Sequence, residues 1–215
     1  MLIEGLKVVR LSRYSDFAGN GSGFCMDYEG RQILITARHV VYDSENKLQR
    51  QVYIDQGESV SFQITDSIEP GGDIIGLYLD RHVDVESMEI APRFYDSNYG
   101  EEIYCLGFPY IFPEPYRSPN SGWPLPVIKK GIISYIGIES FHIDCMAVQG
   151  MSGGPVIMKH PDEYFEVIGI VSNGGAYHLY DSRNKELMSQ YYVKSQSDTV
   201  ECLPMSLLVE ELLAH

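Results

Sequence analysis

Short apolar stretches, separated by polar and glycine-rich turns, run along most of the 215-residue chain. Their length, and the β-branched and aromatic residues in them, are typical of β-strands. Regular strands with turn signals between them predict an all-β barrel or sandwich. The stretches are 5–11, 21–28, 31–41, 51–55, 60–65, 73–79, 101–108, 127–137, 140–148, 155–159, 165–172 and 190–194.

The C-terminal segment follows a different period. Its apolar residues recur at the spacing of one helix face, with a proline near the first turn, so the segment predicts a short amphipathic helix. The apolar residues are Leu208, Val209, Leu212 and Leu213, and the proline is Pro204. The pattern as a whole predicts a β protein closed by one terminal helix.

One long segment, 109–126, is rich in proline and aromatic residues and shows no period. Segments of this length without secondary structure are often lids or binding surfaces. Two interpretations stay open at this point. The segment is either the mobile element of the protein or a surface loop that is stiffened by proline and packed by its own aromatic side chains.

The segment from Gln149 to Ile157, QGMSGGPVI, places three glycines and a proline around a single serine, Ser152. Glycine permits backbone conformations that other residues avoid, and proline fixes φ and removes a donor, so neither a helix nor a regular strand passes through here. One interpretation is a turn that happens to contain Ser152. The other is a backbone bent to point the Ser152 hydroxyl outward beside converging amide groups.

A serine hydroxyl becomes a good nucleophile when a neighbouring base, oriented by a carboxylate, accepts its proton. Among six histidines, His39 is the candidate base because it ends the apolar stretch LITARHVV, although a histidine in such a place is also commonly a core residue. Asp73 opens the stretch DIIGLYL after two glycines, and it is either the carboxylate or a turn residue. Asp84 is a weaker competitor, because polar residues interrupt the stretch that follows it.

Six segments, in the order LITARHVV, DIIGLYLD, YCLGFPY, KKGIISYIG, GMSGGPVI and VIGIVSNGG, resemble the trypsin-like (chymotrypsin-fold) serine peptidases. The resemblance is greatest to the bacterial, disulfide-free branch that includes the HtrA-type proteases. It implies two six-stranded antiparallel β-barrels and a short C-terminal α-helix in a single peptidase unit, 1–215. The barrel with His39 and Asp73 is expected at about 1–95, the barrel with Ser152 at about 96–202, and the helix at 203–215.

The segment Gly150-x-Ser152-x-Gly154 also matches the nucleophile elbow of the α/β-hydrolases. That fold requires a helix directly after the serine, whereas this chain continues with Gly-Gly-Pro and a predicted strand. It also places the acid and the histidine after the serine, whereas here both candidates come before it. The α/β-hydrolase interpretation is therefore rejected.

The resemblance also implies a role for each candidate. Ser152 attacks the peptide carbonyl to form an acyl-enzyme, His39 is the general base, and Asp73 orients His39. The amides of Gly150 and Ser152 form the oxyanion hole, which stabilises the negative oxygen of the tetrahedral intermediate.

Further positions are implied for substrate binding. Met146 lies at the base of the primary specificity pocket, and the backbone of Ser172, Asn173 and Gly174 pairs with an extended substrate. A methionine floor favours cleavage after Leu, Met, Val or Ala. Asp144 lies two residues away on the same predicted strand, and a side chain on that face would favour Arg or Lys instead.

Composition narrows the choice of partners and location. A net charge of −14 argues against a nucleic-acid binder, which needs a basic surface. No apolar run reaches the length of a membrane span or of a signal peptide, so we expect a cytoplasmic protein without membrane association. Its expected partner is a protein or peptide substrate, and a regulatory protein partner is left open.

Four cysteines, Cys25, Cys105, Cys145 and Cys202, lie far apart in the sequence. Secreted relatives pair a cysteine placed like Cys25 with one beside the base, where this chain has Val40. We therefore expect four free thiols, with no metal site and no cofactor.

Two functions from different classes follow from these residues. The first is a serine endopeptidase that uses His39, Asp73 and Ser152. The second is a catalytically silent protease fold that is kept as a binding or scaffold module. The complete set of three residues, together with the glycines around Ser152, favours the enzyme, because a scaffold needs none of them.

Overall fold

Two closed antiparallel β-barrels of six strands each form the protein, which confirms the predicted fold class. The structure is a computed structural model, and it describes residues 8–91, 99–110, 114–145, 149–159, 164–174, 177–180, 187–193 and 199–214. The first barrel has the strand order β1-β2-β3-β6-β5-β4. Its strands are β1 (Val8–Ser12), β2 (Gly21–Tyr28), β3 (Arg31–Ala37), β4 (Gln51–Asp55), β5 (Ser59–Ile68) and β6 (Ile74–Leu79).

The second barrel has the strand order β10-β11-β14-β9-β8-β7, and the strands β12 and β13 form a separate two-stranded sheet. The sequence pattern predicts no strand at β12 or β14. The first residues of β14 alternate between partly exposed and buried, and the sequence pattern places the residues from 203 onward in the terminal helix. The strands are β7 (Glu102–Gly107), β8 (Val127–Ile136), β9 (Phe141–Asp144), β10 (Pro155–Lys159), β11 (Phe165–Gly174), β12 (Tyr177–Tyr180), β13 (Leu187–Val193) and β14 (Thr199–Pro204).

Two helices complete the described residues, α1 (Arg38–Val41) and α2 (Ser206–Ala214). The sequence predicts one continuous strand over 31–41, and this is wrong: β3 ends at Ala37, and His39 lies in the single turn of α1. The Arg38 N–H makes the last bond of the β3–β6 ladder, to the carbonyl of Asp73 at 3.0 Å. The chain then turns to bury Val40 and Val41, and the Tyr42 N–H closes this turn by donating to the Arg38 carbonyl at 3.2 Å.

The terminal helix begins later than 203 because Leu203 and Pro204 still pair with Ile170 and Gly169 of β11. It then packs its buried face, Leu208 and Leu212, on the apolar core. Within the described residues, neither α1 nor α2 has the length and apolar character needed to cross a bilayer.

The apolar core holds the two barrels together. One cluster fills the first barrel and continues through Leu106, Ile170 and Leu203 of the second barrel to α2. A separate cluster fills the interior of the second barrel. Because the shared cluster fixes one barrel against the other, residues at the barrel interface can hold a site made from both.

All four cysteines are free and buried, as the sequence predicts. Burial, with a smaller contribution from Asp27, raises the pKa of Cys25 to about 12. A hydrogen bond from Cys105 lowers the pKa of Cys145. That bond and burial raise the pKa of Cys105, and burial raises the pKa of Cys202.

The described part of the segment 109–126 is attached to the first barrel by an ion pair. Arg117 donates two hydrogen bonds to the buried carboxylate of Asp55, with Nη1–Oδ1 at 2.8 Å and Nη2–Oδ2 at 3.1 Å. Trp123 packs against the shared core and accepts a hydrogen bond from the Ser118 amide at 2.8 Å. These contacts favour the packed surface loop over the mobile element.

Candidate active site

His39 and Asp73 contact each other directly. His39 Nδ1 lies 2.7 Å from Asp73 Oδ2, and the His39 amide donates to Asp73 Oδ1 at 2.9 Å. The turn of α1 presents His39 on one side, and the Gly71–Gly72 turn before β6 presents Asp73 on the other. The competitor, Asp84, is exposed and contacts neither residue.

Ser172 of β11 donates a third hydrogen bond to the same carboxylate, from Oγ to Asp73 Oδ2 at 2.8 Å. Burial alone would raise the pKa of Asp73, but the hydrogen bonds from His39 and Ser172 and the charge of His39 outweigh it, so the pKa is lowered. The carboxylate therefore stays ionised and faces the imidazole with negative charge. The sequence assigned Ser172 a backbone contact with substrate and did not predict this side-chain role.

Ser152 lies in a tight loop before β10, between the two barrels. Its carbonyl accepts a hydrogen bond from the Ser22 amide of β2 at 2.8 Å, and the next amide, Gly153 N–H, donates to Val171 of β11 at 2.7 Å. Gly153 has φ +82°, and a side chain there would collide with Thr36 Oγ1 and the Ala37 amide. The loop thus contacts Ala37, which ends β3 two residues before His39. It also contacts Val171, the residue before Ser172.

Two backbone N–H groups of the serine loop have no hydrogen-bond acceptor among the described residues. Gly150 has φ +96°, and a Cβ on it would collide with the carbonyl of Phe108. Within the described part of the chain, the N–H groups of Gly150 and Ser152 donate no hydrogen bond to a protein acceptor. Two unpaired donors beside a nucleophile are the arrangement that an oxyanion hole requires.

Comparison with known proteins decides the family. The sequence model of the trypsin-like peptidase domain matches residues 21–170, which is more than half of the chain. The chain belongs to this family. It is therefore a serine endopeptidase by family, the first of the two functions that the sequence predicts. A search of curated proteins finds no match.

Solved structures of other proteases share the fold of this peptidase. The Rv3671c protease in its inactive form is 16% identical with a TM-score of 0.60, over 96% of this chain and 87% of the other. A serine-to-alanine variant of Rv3671c from M. tuberculosis H37Rv is 19% identical with a TM-score of 0.58, over 96% and 85%. The HtrA-type protease AlgW with a tripeptide is 17% identical with a TM-score of 0.61, over 98% of this chain and 60% of AlgW.

The structure describes three of the four predicted substrate-binding residues of the peptidase. Ser172, Asn173 and Gly174 lie at the end of β11, where Asn173 and Gly174 pair with Glu201 and Val200 of β14. Met146 lies outside the described residues. Asp144 is the exposed last residue of β9.

Sequence reasoning missed Ser22, whose side chain joins the two barrels at the serine loop. Its buried hydroxyl donates to the Gly150 carbonyl at 2.8 Å and accepts from the Phe108 amide at 2.9 Å. The clue in the sequence is a small polar residue between two glycines at the start of the predicted strand 21–28. In the structure Ser22 is the second residue of β2 and is completely buried.

Replacing Ser22 with alanine should lower both stability and activity. The change leaves the Gly150 carbonyl and the Phe108 amide without their partner, at a cost of about 1–3 kcal/mol in unfolding free energy. It should also lower kcat, because Gly150 is then less firmly held. Denaturant unfolding and steady-state kinetics test this, with Ser44→Ala in an exposed turn as the control. An unchanged kcat in Ser22→Ala would contradict the positioning role.

Proposed function

We propose that Ser152, His39 and Asp73 form a catalytic triad that cleaves peptide bonds through an acyl-enzyme. The observation that carries this proposal is the 2.7 Å contact between His39 Nδ1 and Asp73 Oδ2. It occupies one ring nitrogen, so that Nε2 is left to accept the proton of Ser152.

The proposed reaction has two stages. As the Ser152 oxygen bonds to the substrate carbonyl carbon, its proton passes to His39, and the carbonyl oxygen takes up the negative charge. The C–N bond then breaks, and His39 returns the proton to the leaving amine. A water molecule, deprotonated by His39, attacks the acyl-enzyme and releases the acid product and free Ser152.

The open amides of Gly150 and Ser152 support a role as the oxyanion hole. Donors that are fixed before the reaction stabilise the developing charge without reorganisation, and one such donor contributes on the order of 3 kcal/mol to transition-state stabilisation. The two φ values that only glycine adopts easily, at Gly150 and Gly153, keep this loop in its bent form.

The end of β11 supports substrate binding by strand addition. β10 pairs with β11 only as far as Ile170, whereas β14 pairs with it as far as Gly174. Among the described residues, no strand covers the other edge of 172–174. An extended substrate can add to this edge through backbone hydrogen bonds, with Ser172, Asn173 and Gly174 as its partners. From Met146 in the sequence, we infer cleavage after apolar residues such as Leu, Met, Val or Ala.

We further infer that the single peptidase unit of 1–215 acts in the cytoplasm of a bacterium. Four buried free thiols suit a reducing compartment.

The test of the proposed function is covalent labelling followed by substrate profiling. A fluorophosphonate should label the native protein, and peptide mapping should place the label on Ser152. A peptide library should then be cleaved after apolar residues. Labelling at another residue would contradict the triad, and a folded protein that neither reacts nor cleaves would be the scaffold. Dominant cleavage after Arg or Lys would contradict the apolar pocket and make Asp144 the residue to mutate.

A further inference from the structure

A cavity of about 730 Å³ opens beside the proposed triad, between the two barrels. His39, Asp73 and Ser172 form one side of it, and Ser152 is not among its lining residues. The cavity is therefore continuous with the active site but lies away from the nucleophile, on the Asp73 side of His39.

Pro70 and two glycines form the rim of the wall from the first barrel. Gly71 and Gly72 line the cavity with φ of +102° and +68°, a region that favours glycine. A Cβ on Gly71 would meet no atom within 4 Å, so the rim faces open space there, whereas a Cβ on Gly72 would contact Leu203 at 3.4 Å. The backbone here leaves room for a long side chain from another molecule.

The opposite wall, from the second barrel, combines apolar and acidic side chains. Glu201 and Leu203 lie two residues apart on β14 and face the cavity together, as alternation along a strand requires. Leu207 of α2 adds to the apolar surface, and Glu139 contributes a second carboxylate from the turn between β8 and β9.

These carboxylates have no cationic partner in the described part of the chain. Neither Glu139 nor Glu201 forms an ion pair there, and no Lys or Arg lines the cavity. The chain also has a net charge of −14. A lysine or arginine suits this chemistry, because its methylene stem packs on leucine while its charged end reaches a carboxylate.

The unpaired edge of β11 indicates which substrate residues can reach the cavity. Side chains of an extended substrate alternate between two faces. If the residue at the cleaved bond points into the primary pocket beside Ser152, the second and fourth residues before the bond point to the other face. The cavity reaches this edge of β11 because Ser172 lines it together with His39 and the Gly71–Gly72 rim, so side chains on that face can enter it.

We propose that this cavity is an acidic subsite that binds a lysine or arginine at the second or fourth position before the cleaved bond, with Glu201 as its main charge partner. The proposal rests on the proposed function and names its substrate class. The peptidase selects an apolar residue at the cleaved bond together with a basic residue on its N-terminal side.

Matched peptides test the subsite. Each has leucine at the first position before the cleaved bond and either lysine or norleucine, its uncharged analogue, at the second, third, fourth or fifth position before the bond. The lysine peptide should have a kcat/KM about tenfold higher when the change is at the second or fourth position. This ratio should fall towards one in Glu201→Gln, invert in Glu201→Lys and decrease as salt is added. The control Glu58→Gln, an exposed acid away from the cavity, should keep the wild-type ratio.

These outcomes distinguish a failure of the subsite from a failure of the proposed function. If both peptides are cleaved at equal rates by a protein that is labelled at Ser152, the subsite is wrong and the proposed function stands. A lysine preference that persists in Glu201→Gln, or that occurs only at the third or fifth position, also overturns the subsite. If Ser152 is not labelled and no peptide is cleaved, the proposed function fails and the subsite fails with it.

Discussion

Replacing Ser152 with alanine is expected to lower kcat by on the order of 10⁶-fold while the fold persists. The loss is large because the proposed acyl-enzyme cannot form without the hydroxyl, and the other two residues of a triad act through it. The fold should persist because the Ser152 hydroxyl makes no hydrogen bond within the described part of the chain, while the backbone bonds that hold its loop come from Ser22 and Val171. Steady-state peptide hydrolysis and a thermal unfolding curve measure the two effects.

The matched control is Ser44→Ala, which removes the same hydroxyl from an exposed turn. It should keep both the wild-type rate and the fluorophosphonate label. Wild-type hydrolysis by Ser152→Ala would remove Ser152 from the mechanism. Loss of activity together with loss of the folded state would instead show that the serine contributes to stability.

Replacing Asp73 with asparagine is expected to lower kcat by about 10⁴-fold near neutral pH. The amide is nearly the same size, but it carries no charge to stabilise the imidazolium of His39. Its NH₂ group also cannot accept the His39 Nδ1 proton, so the wrong ring nitrogen is protonated. Hydrolysis rates of the variant test this, with Asp84→Asn as the control for a nearby acid that contacts no triad member. A loss of less than tenfold would contradict the role of Asp73.

The same substitution predicts a pH dependence of stability. Because hydrogen bonds lower the pKa of Asp73 in the folded protein, its carboxylate stabilises the fold above the ordinary pKa of about 4. This contribution is lost as the pH falls through the lower, folded-state pKa. The difference in unfolding free energy between wild type and Asp73→Asn should therefore be constant above about pH 5 and shrink below about pH 4. A difference that does not change with pH would show that Asp73 has the same pKa in both states.

The positions of the chemical groups could be predicted from the sequence because each depends on its near neighbours. Three glycines and a proline around Ser152 exclude regular structure there whatever lies elsewhere in the chain. Asp73 follows two glycines and precedes a buried strand, so it had to lie at a strand entrance. The strands β2, β4 and β10 have the predicted bounds, and β6, β7 and β8 differ from theirs by one residue at one or both ends, because alternating or continuous apolar residues are a local signal.

The end of β3 and the presence of β14 depend on contacts with residues far away in the sequence, so the local sequence pattern does not indicate them. The strand before His39 ends at Ala37 because the chain there turns to bury Val40 and Val41 in the shared core, and its last ladder bond joins Arg38 to Asp73, 35 residues further along the chain. The second barrel recruits Thr199–Pro204 as β14 because β11 and β9 both offer it an edge. Neither partner can be identified from the six residues themselves.

The sequence by itself determined the family, the fold class and the three residues of the proposed triad, because these depend on short motifs and on their order. Only the tertiary structure decided how the residues are held and what surrounds them. Ser172 contacts Asp73, Ser22 joins the serine loop to Phe108, and Glu201 faces the same cavity as His39. Each of these arrangements brings together residues about 90 to 160 positions apart in the sequence. Such residues meet only when the two barrels close and pack against each other through their shared core.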